Sequence, residues 1–275
     1  MLDATEITFI VIFTLEAVLI IIGNSLAILV FCTQNLRRQR PHLLLINLAV
    51  ADLLVGIAEP LVLATENVPR MLAEPGQGRN IQSPTSTFQF FASSSSVLLL
   101  ALISLERVYA VLWPLRHRVA NLQVYVCSVL IVWFSGIVMT VLSLIPVFFR
   151  RANRVYFSVA ILTCLSISLL IICVSYVKIR ARLLVIPEGR VAHNTTERNL
   201  RLSKTILGVI VISLVFWLPA FVVYFARVFC PQCFSPLLKS FVKVLHLANS
   251  MVNPLVYTFR MQAFRNALGK LCRRK

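Results

Sequence analysis

"IQSPTSTFQFFASSSSVLLLALISLER", residues 81–107, runs for 25 residues without a charge and then places Glu106 and Arg107 side by side. About 20 predominantly apolar residues are enough for an α-helix to cross the hydrocarbon layer of a membrane. The stretch therefore predicts a membrane-spanning helix that reaches the aqueous surface at the charged pair. The whole chain has the same character: 59% of its residues are hydrophobic and 13% are charged, which is too apolar for a soluble domain.

Comparable apolar runs lie on both sides of this stretch. Together they predict an all-α membrane protein, a seven-transmembrane helix bundle followed by a short amphipathic C-terminal surface helix, in a single domain covering residues 1–275. The expected spans are residues 7–33, 42–65, 85–112, 122–148, 155–182, 200–227 and 236–259, and the expected surface helix is 260–272.

The distribution of Lys and Arg predicts the orientation of the bundle. Of the 27 basic residues, 19 lie in the alternate connections that start after the first span. Cytoplasmic connections carry the excess of basic residues, so we expect the C-terminus inside the cell and the N-terminus outside, in the plasma membrane. The net charge of +17 then faces anionic membrane lipid and an intracellular protein rather than nucleic acid.

Several expected spans carry ionisable side chains. Each costs about 2.5–3.5 kcal/mol at the centre of a membrane helix, so each one suggests a functional site. Asp52, Glu59 and Glu66 are seven residues apart, which places them on one face of the second span. A second stripe, on the seventh span, consists of Lys239, Lys243, His246, Ser250 and Asn253, and Glu16 and Asn24 share a face of the first span.

By depth, these side chains form two layers. The deeper layer offers oxygen atoms around the Asp52 carboxylate, which suits a sodium ion or a proton; its members are Asn24, Asp52, Ser96, Asn249, Ser250 and Asn253. The outer layer predicts a ligand cavity of mixed charge, formed by Glu16, Glu59, Glu66, Gln89, Lys239, Lys243 and His246. The alternative is that Glu59 pairs with Lys243, or Glu16 with His246, only to make membrane insertion tolerable.

Three cysteines lie outside the spans. Cys230 and Cys233 fall in the last connection on the extracellular side, where a disulfide is expected, with two free thiols or a metal pair as alternatives. Cys272 follows the last span among basic residues, which makes it a candidate for palmitoylation, with an unmodified thiol as the alternative.

Short motifs follow one another along the spans. They are "GNSLAILV" (Gly23, Asn24), "NLAVADLL" (Asn47, Asp52), "SLERVYAVLWPLRHR" (Glu106, Arg107, Pro114), Trp133, Tyr176, "FWLPAF" (Trp217, Pro219) and "NPLVYTF" (Asn253, Pro254, Tyr257). Pro219 and Pro254 each remove a backbone hydrogen bond in mid-span and predict kinks. In this order and at these depths the motifs resemble those of the class A (rhodopsin-like) G-protein-coupled receptors.

The resemblance implies roles for these residues. Glu106 would hold Arg107, which would contact a heterotrimeric G protein on activation and reach toward Tyr176 and Tyr257. Asp52, Ser96, Asn249 and Asn253 would form a sodium pocket that favours the inactive state. Trp217 would lie beneath the ligand, and Asn253, Pro254 and Tyr257 would rearrange. An acid on the sixth helix usually completes the restraint on Arg107; Asn199 stands at that place here, which predicts raised basal signalling.

Departures from the family pattern bear on the ligand. No cysteine stands at the outer end of the third span, so the usual disulfide there is absent, and the fourth and fifth spans are joined by a very short connection. These features look most like the melanocortin, lysophospholipid, cannabinoid and adenosine branch. Gln89 stands where amine receptors carry a carboxylate in the third span, and Leu247 stands where retinal pigments carry a lysine, which argues against both ligand classes. The asparagine of adenosine receptors is absent near Tyr224, a residue that we place at the ligand cavity. The ligand expected from the sequence is a peptide or a small polar or lipid molecule.

Two other functions remain open at this point: a receptor-like scaffold that does not signal, and a transporter that uses the charged stripes. An enzyme is not expected, because the four histidines lie in different segments and no phosphate-binding loop or catalytic set is apparent.

Overall fold

The computed structural model describes residues 4–33, 40–67, 83–149, 154–185, 194–230, 233–260, 264–266 and 268–269. Most of these residues belong to seven long helices: α1 (Ala4–Thr33), α2 (Arg40–Val62), α3 (Pro84–Leu112), α4 (Leu122–Phe148), α5 (Arg154–Val185), α6 (Asn194–Phe229) and α7 (Pro236–Arg260). A turn of π-helix, Leu63–Asn67, extends α2, and a short helix, Pro114–Val119, lies between α3 and α4. Within the described residues, six helices are long and apolar enough to cross a membrane. The seventh, α7, carries the polar stripe.

Local sequence sets the ends of the central helix, α3. Ser83 has an extended backbone and its hydroxyl accepts a hydrogen bond from the amide of Ser86 at 3.2 Å, with Pro84 in the first turn. At the other end, Pro114 disfavours helical geometry in the residue before it, so α3 stops at Leu112 and Pro114 begins the short helix. The sequence did not lead us to expect that short helix.

The long helices close into a ring. Successive helices pack against each other from α1 to α4, α5 contacts α3 and α6, and α7 contacts α6 and α1. Large apolar side chains such as Leu130, Phe134 and Leu170 are more than 60% exposed on the outside of the ring, as expected for a surface that meets lipid. We call the end of the bundle at which α1 begins the outer end, and the end at which α3 stops the inner end.

The serine run of α3 allows a close approach to α4. Ser93, Ser94, Ser95 and Ser96 are all buried. A Cβ atom at Gly136 of α4 would collide with the hydroxyl of Ser95, so only glycine fits at this crossing. Small residues at membrane helix interfaces commonly have this packing role.

Several helix bounds differ from the expected spans, most of all in α5 and α6. α6 begins at Asn194 rather than at residue 200, and α5 continues to Val185. The π-helical turn widens the end of α2, so the seven-residue spacing no longer keeps Glu66 on the face of Asp52 and Glu59. Residues 264–266 and 268–269 are helical, whereas the rest of the expected surface helix and Cys272 lie outside the described residues.

Candidate functional site

A cavity of about 510 Å³ opens at the outer end between α2, α3, α5, α6 and α7. Its polar lining includes Glu66, Gln89, Tyr224, Arg227, Lys243 and His246. Ile161, Leu162 and Leu165 of α5 form an apolar wall, and Trp217 lies at the deep end. Its size and mixed lining are typical of small-molecule sites.

A second cavity of about 550 Å³ adjoins the first between α1, α6 and α7. Lys239, Phe13 and Glu6 line it, and Tyr224, Arg227 and Lys243 line both cavities. Lys243 and Arg227 are therefore charged side chains that line both cavities. Of the predicted cavity residues, Glu16 and Glu59 line neither cavity.

Glu59 is the centre of a buried cluster, which we call the Glu59 cluster: Glu16, Glu59, Gln89 and Lys243. Glu59 is fully buried, and the ammonium of Lys243 lies 2.7 Å from its Oε1. Gln89 Nε2 donates a hydrogen bond to the other carboxylate oxygen, Oε2. The Lys243 ammonium also lies 4.7 Å from the centre of the Phe13 ring, a cation–π contact. Glu59 and Lys243 thus form the ion pair that the sequence offered as one alternative.

The remaining outer residues are placed differently from the sequence expectation. His246 does not form a described ion pair with Glu16; its ring lies edge-on to Trp217, with ring centres 4.5 Å apart. Glu66 accepts hydrogen bonds from the amide and hydroxyl of Ser83, because the π-helical turn directs it toward the start of α3. Glu66 therefore lines the cavity but does not join the Glu59 cluster.

Asp52 lies in the middle of the bundle and is fully buried. Its Oδ1 accepts hydrogen bonds from Ser96 at 2.7 Å and from Ser250 at 2.8 Å, and its Oδ2 accepts one from Asn253 at 2.7 Å. Asn24 is joined to this group through the Ser250 carbonyl at 3.1 Å. We call Asp52, Ser96, Ser250 and Asn253 the Asp52 cluster; it brings together residues of α2, α3 and α7 that are far apart in sequence.

The Asp52 cluster has the chemistry of a small cation site. Among the described residues, no Lys, Arg or His pairs with Asp52, so its charge meets only neutral donors. Asn24 bonds to the carbonyl of Ser250, and Asn249 precedes Ser250 in α7. The side-chain oxygens of Asn24 and Asn249 are both buried, and neither has a hydrogen-bond partner in the described part of the chain. Carboxylate and amide oxygens of this kind are the ligands that hard cations prefer, so the residues fit a sodium ion.

A third cluster lies at the inner end around Glu106. The Arg107 guanidinium is fully buried and donates to both oxygens of Glu106. His117 Nε2 lies 2.7 Å from Glu106 Oε1, and the Tyr125 hydroxyl donates to the same oxygen at 3.3 Å. We call these four residues the Glu106 cluster. Among the described residues, Arg107 Nη1 has no hydrogen-bond partner.

Sequence reasoning missed His117 and Tyr125. Both rings are buried, and His117 lies 3.0 Å from the Tyr125 hydroxyl. Pro114 was the available signal, because a proline that ends α3 and starts a new helix turns the chain back beside Glu106. The side chain of Asn199 lies outside the described residues.

The other motif residues occupy contacts between helices. Tyr257 is buried, its ring packs edge-on against Phe31 at 5.7 Å, and its hydroxyl has no partner among the described residues. Pro254 packs against Gly23, where a Cβ would lie 3.2 Å from the proline ring.

Trp133 Nε1 donates a hydrogen bond to Asn47 at 3.1 Å, which links α4 to α2. Tyr176 packs on the hydrophobic core. Cys230 and Cys233 form a disulfide after α6.

Comparisons with known proteins agree with this arrangement. The family described as 7 transmembrane receptor (rhodopsin family) matches residues 23–257. Similar proteins include the Histamine H2 receptor of Homo sapiens, 26% identical over 98% of this chain and 81% of that receptor. The Sphingosine 1-phosphate receptor 1 of Danio rerio is 27% identical (95% of this chain, 77% of that receptor), and the 5-hydroxytryptamine receptor 6 of Mus musculus is 24% identical (90% and 67%).

These relatives are named for different ligands, so the similarity gives the family and leaves the ligand open. The match covers most of the chain and includes the spans that carry the Asp52 and Glu106 clusters. The expected seven-helix bundle and the class A resemblance are thereby confirmed, and the chain belongs to the rhodopsin family of seven-transmembrane receptors.

Proposed function

We propose that this G-protein-coupled receptor binds an extracellular ligand in the cavity above Trp217, and that the ligand shifts the bundle to a state in which Arg107 contacts a heterotrimeric G protein. The observation that carries the proposal is the state of Arg107. Its guanidinium is fully buried and held by Glu106, yet Nη1 has no partner in the described part of the chain. A buried, incompletely satisfied charge of this kind favours a second arrangement in which the missing contact is made.

The ligand acts by preferring one of these two arrangements. A ligand that binds both states equally well does not change their equilibrium. Each tenfold preference for one state changes the free-energy difference between the two states by about 1.4 kcal/mol. Trp217 and His246 are in contact at the deep end of the cavity, and His246 lies on α7 with Ser250 and Asn253. A change in the cavity can therefore reach the Asp52 cluster along one helix.

Sodium favours the inactive state in this proposal. Asp52, Ser96 and Asn253 would hold the ion, with the side-chain oxygens of Asn24 and Asn249 as further ligands. A bound cation supplies the counter-charge that Asp52 lacks among the described residues. It thereby stabilises the packing of α2, α3 and α7 that the structure shows.

The bundle lies in the plasma membrane with its outer end facing the extracellular side. The distribution of basic residues supports this orientation, because most of them fall in connections at the inner end. They would contact anionic lipid headgroups and the G protein.

The substitution Arg107→Ala tests the proposed coupling. We expect ligand-free activation of a panel of G proteins to fall to the level of cells without the receptor, because the side chain that contacts the G protein is removed. Surface expression should be retained. Leu130→Ala, which changes a lipid-facing side chain of α4, is the control and should leave activation unchanged. Unchanged coupling in Arg107→Ala would contradict the assigned role, and a lack of activation by the unaltered chain would favour a receptor-like scaffold.

A further inference from the structure

The outer half of the bundle buries two carboxylates beside one ammonium. Glu16 is 7% exposed and Glu59 is fully buried, and both lie among α1, α2 and α7. The charges of Glu16 and Glu59 repel each other, and the charge of Lys243 attracts both. Lys243 is paired with Glu59 at 2.7 Å, so within the described residues no ion pair joins a cation to Glu16.

Glu16 is the carboxylate without a counter-charge. Its Oε2 is buried and has no hydrogen-bond partner among the described residues. Burying an ion costs several kcal/mol even after the protein relaxes, and the cost is offset only when the charge is paired and hydrogen-bonded. A second cation in the Glu59 cluster would therefore stabilise the ionised form of both carboxyl groups.

The lining of each cavity includes a residue that contacts Glu59. Gln89 lines the first cavity and donates its amide hydrogen to Glu59. Phe13 lines the second, one helical turn before Glu16, and Lys243 lines both. A molecule that enters either cavity thus meets Lys243 or Gln89 first, with a carboxylate directly behind.

We propose that the Glu59 cluster binds the ammonium group of a small amine ligand, an inference that rests on the proposed function because the amine enters through the ligand cavity. The ammonium replaces Lys243 at Glu59, and the flexible side chain of Lys243 moves to Glu16. Each carboxylate then has one cation. The ligand's apolar part lies in the first cavity above Trp217.

This inference revises the weight given to Gln89. A neutral residue at that position of the third helix argues against an amine when the position is considered alone. In the structure the Gln89 amide is bonded to Glu59, so the negative charge lies one side chain away, on α2 instead of α3. Glu66, which also lines the cavity, accepts hydrogen bonds from Ser83 instead.

The test is ligand binding to the purified full chain in detergent, measured as a shift in the thermal midpoint. The probes are a set of primary, secondary and tertiary amines that includes histamine and serotonin, the neutral alcohol phenethyl alcohol beside phenethylamine, and lysophosphatidic acid, an anionic lipid without an amine. We expect stabilisation by one or more amines and none by the alcohol. Apparent affinity for such an amine should fall at least tenfold in Glu16→Gln and in Glu59→Gln and stay within twofold in Leu130→Ala, which changes a lipid-facing side chain of α4.

Lys243→Met separates counter-ion exchange from simple attraction. Since the amine no longer displaces Lys243, its affinity should equal or exceed that of the unaltered chain. Loss of amine binding in Lys243→Met would overturn the exchange, as would unchanged binding in Glu16→Gln, which would mean that Glu16 is buried in its neutral form. Stabilisation by lysophosphatidic acid and by no amine would overturn the amine assignment.

This measurement is independent of signalling. Amine binding without any G-protein activation would leave the inference standing and count against the proposed function. G-protein activation that depends on Arg107 but responds to no amine would do the reverse.

Discussion

His117 and Tyr125 add two contacts to Glu106, the carboxylate that holds Arg107. His117 comes from the short helix after α3 and Tyr125 from the first turn of α4, so Glu106 is restrained from two elements at once. A carboxylate fixed in this way holds the guanidinium in one orientation. Part of the restraint on Arg107 therefore comes from the connection between α3 and α4.

Replacing His117 by alanine should raise ligand-free signalling. A hydrogen bond to a charged group contributes about 1.5–3 kcal/mol, so its loss from the inactive state alone shifts the ratio of active to inactive receptor by about tenfold. We expect a several-fold rise in basal G-protein activation at equal surface expression, and a smaller rise for Tyr125→Phe. Arg116→Ala, on the exposed side of the same short helix, is the control. Basal activity in His117→Ala equal to that of this control would show that His117 does not restrain Glu106.

Spacing along the sequence predicted the contacts of some of these residues and not of others. The members of the Asp52 cluster were expected together, because Ser250 and Asn253 share a helix face and each motif fixes the depth of its residue. The partner of Glu59 was left open, because a helix face does not specify which neighbouring side chain it meets. His117 was not foreseen, since the fold of a connection depends on tertiary contacts that no periodic pattern records.

The start of α3 is joined to the end of α2 by a set of hydrogen bonds in place of the disulfide that the chain lacks. Ser83, at the N-cap of α3, donates to Glu66. The hydroxyls of Thr65 and Thr85 lie 2.7 Å apart, and Ser83 lies 2.6 Å from Thr85. The π-helical turn places Glu66 and Thr65 opposite α3. The helix itself was predictable from its apolar length, whereas this turn was not, because it depends on contacts with α3.

Ser83→Ala should weaken this connection between the two helices. The change removes an N-cap, worth about 1 kcal/mol, and a hydrogen bond to a carboxylate, worth about 1.5 kcal/mol or more. For a chain of this size we expect the thermal midpoint of the purified receptor to fall by about 4–8 °C. Ser128→Ala, which removes an exposed hydroxyl bonded within α4, is the matched serine control. Equal midpoints for the two variants would mean that the connection does not stabilise the bundle.

In the whole molecule, α7 links the Glu59 and Asp52 clusters and continues toward the inner end. Lys243 reaches the Glu59 cluster, Ser250 and Asn253 belong to the Asp52 cluster, and Tyr257 lies one to two turns further toward the inner end. A shift of this helix at the cavity therefore changes the geometry at Asp52 and at the inner end together. Sites that bias the same two states are coupled, and the coupling is reciprocal.

Sodium and His117 should therefore influence each other although they act at different depths of the bundle. Replacing potassium chloride by sodium chloride should lower basal G-protein activation, because the proposed sodium site at Asp52 favours the inactive state. In Asp52→Asn this effect should disappear. In His117→Ala sodium must oppose a larger active population, so the sodium concentration for half-inhibition should rise, by up to about twofold if a few per cent of the unaltered receptor is active. If basal activity rises in His117→Ala but the sodium concentration for half-inhibition is unchanged, the Asp52 and Glu106 clusters do not act on the same equilibrium between inactive and active receptor.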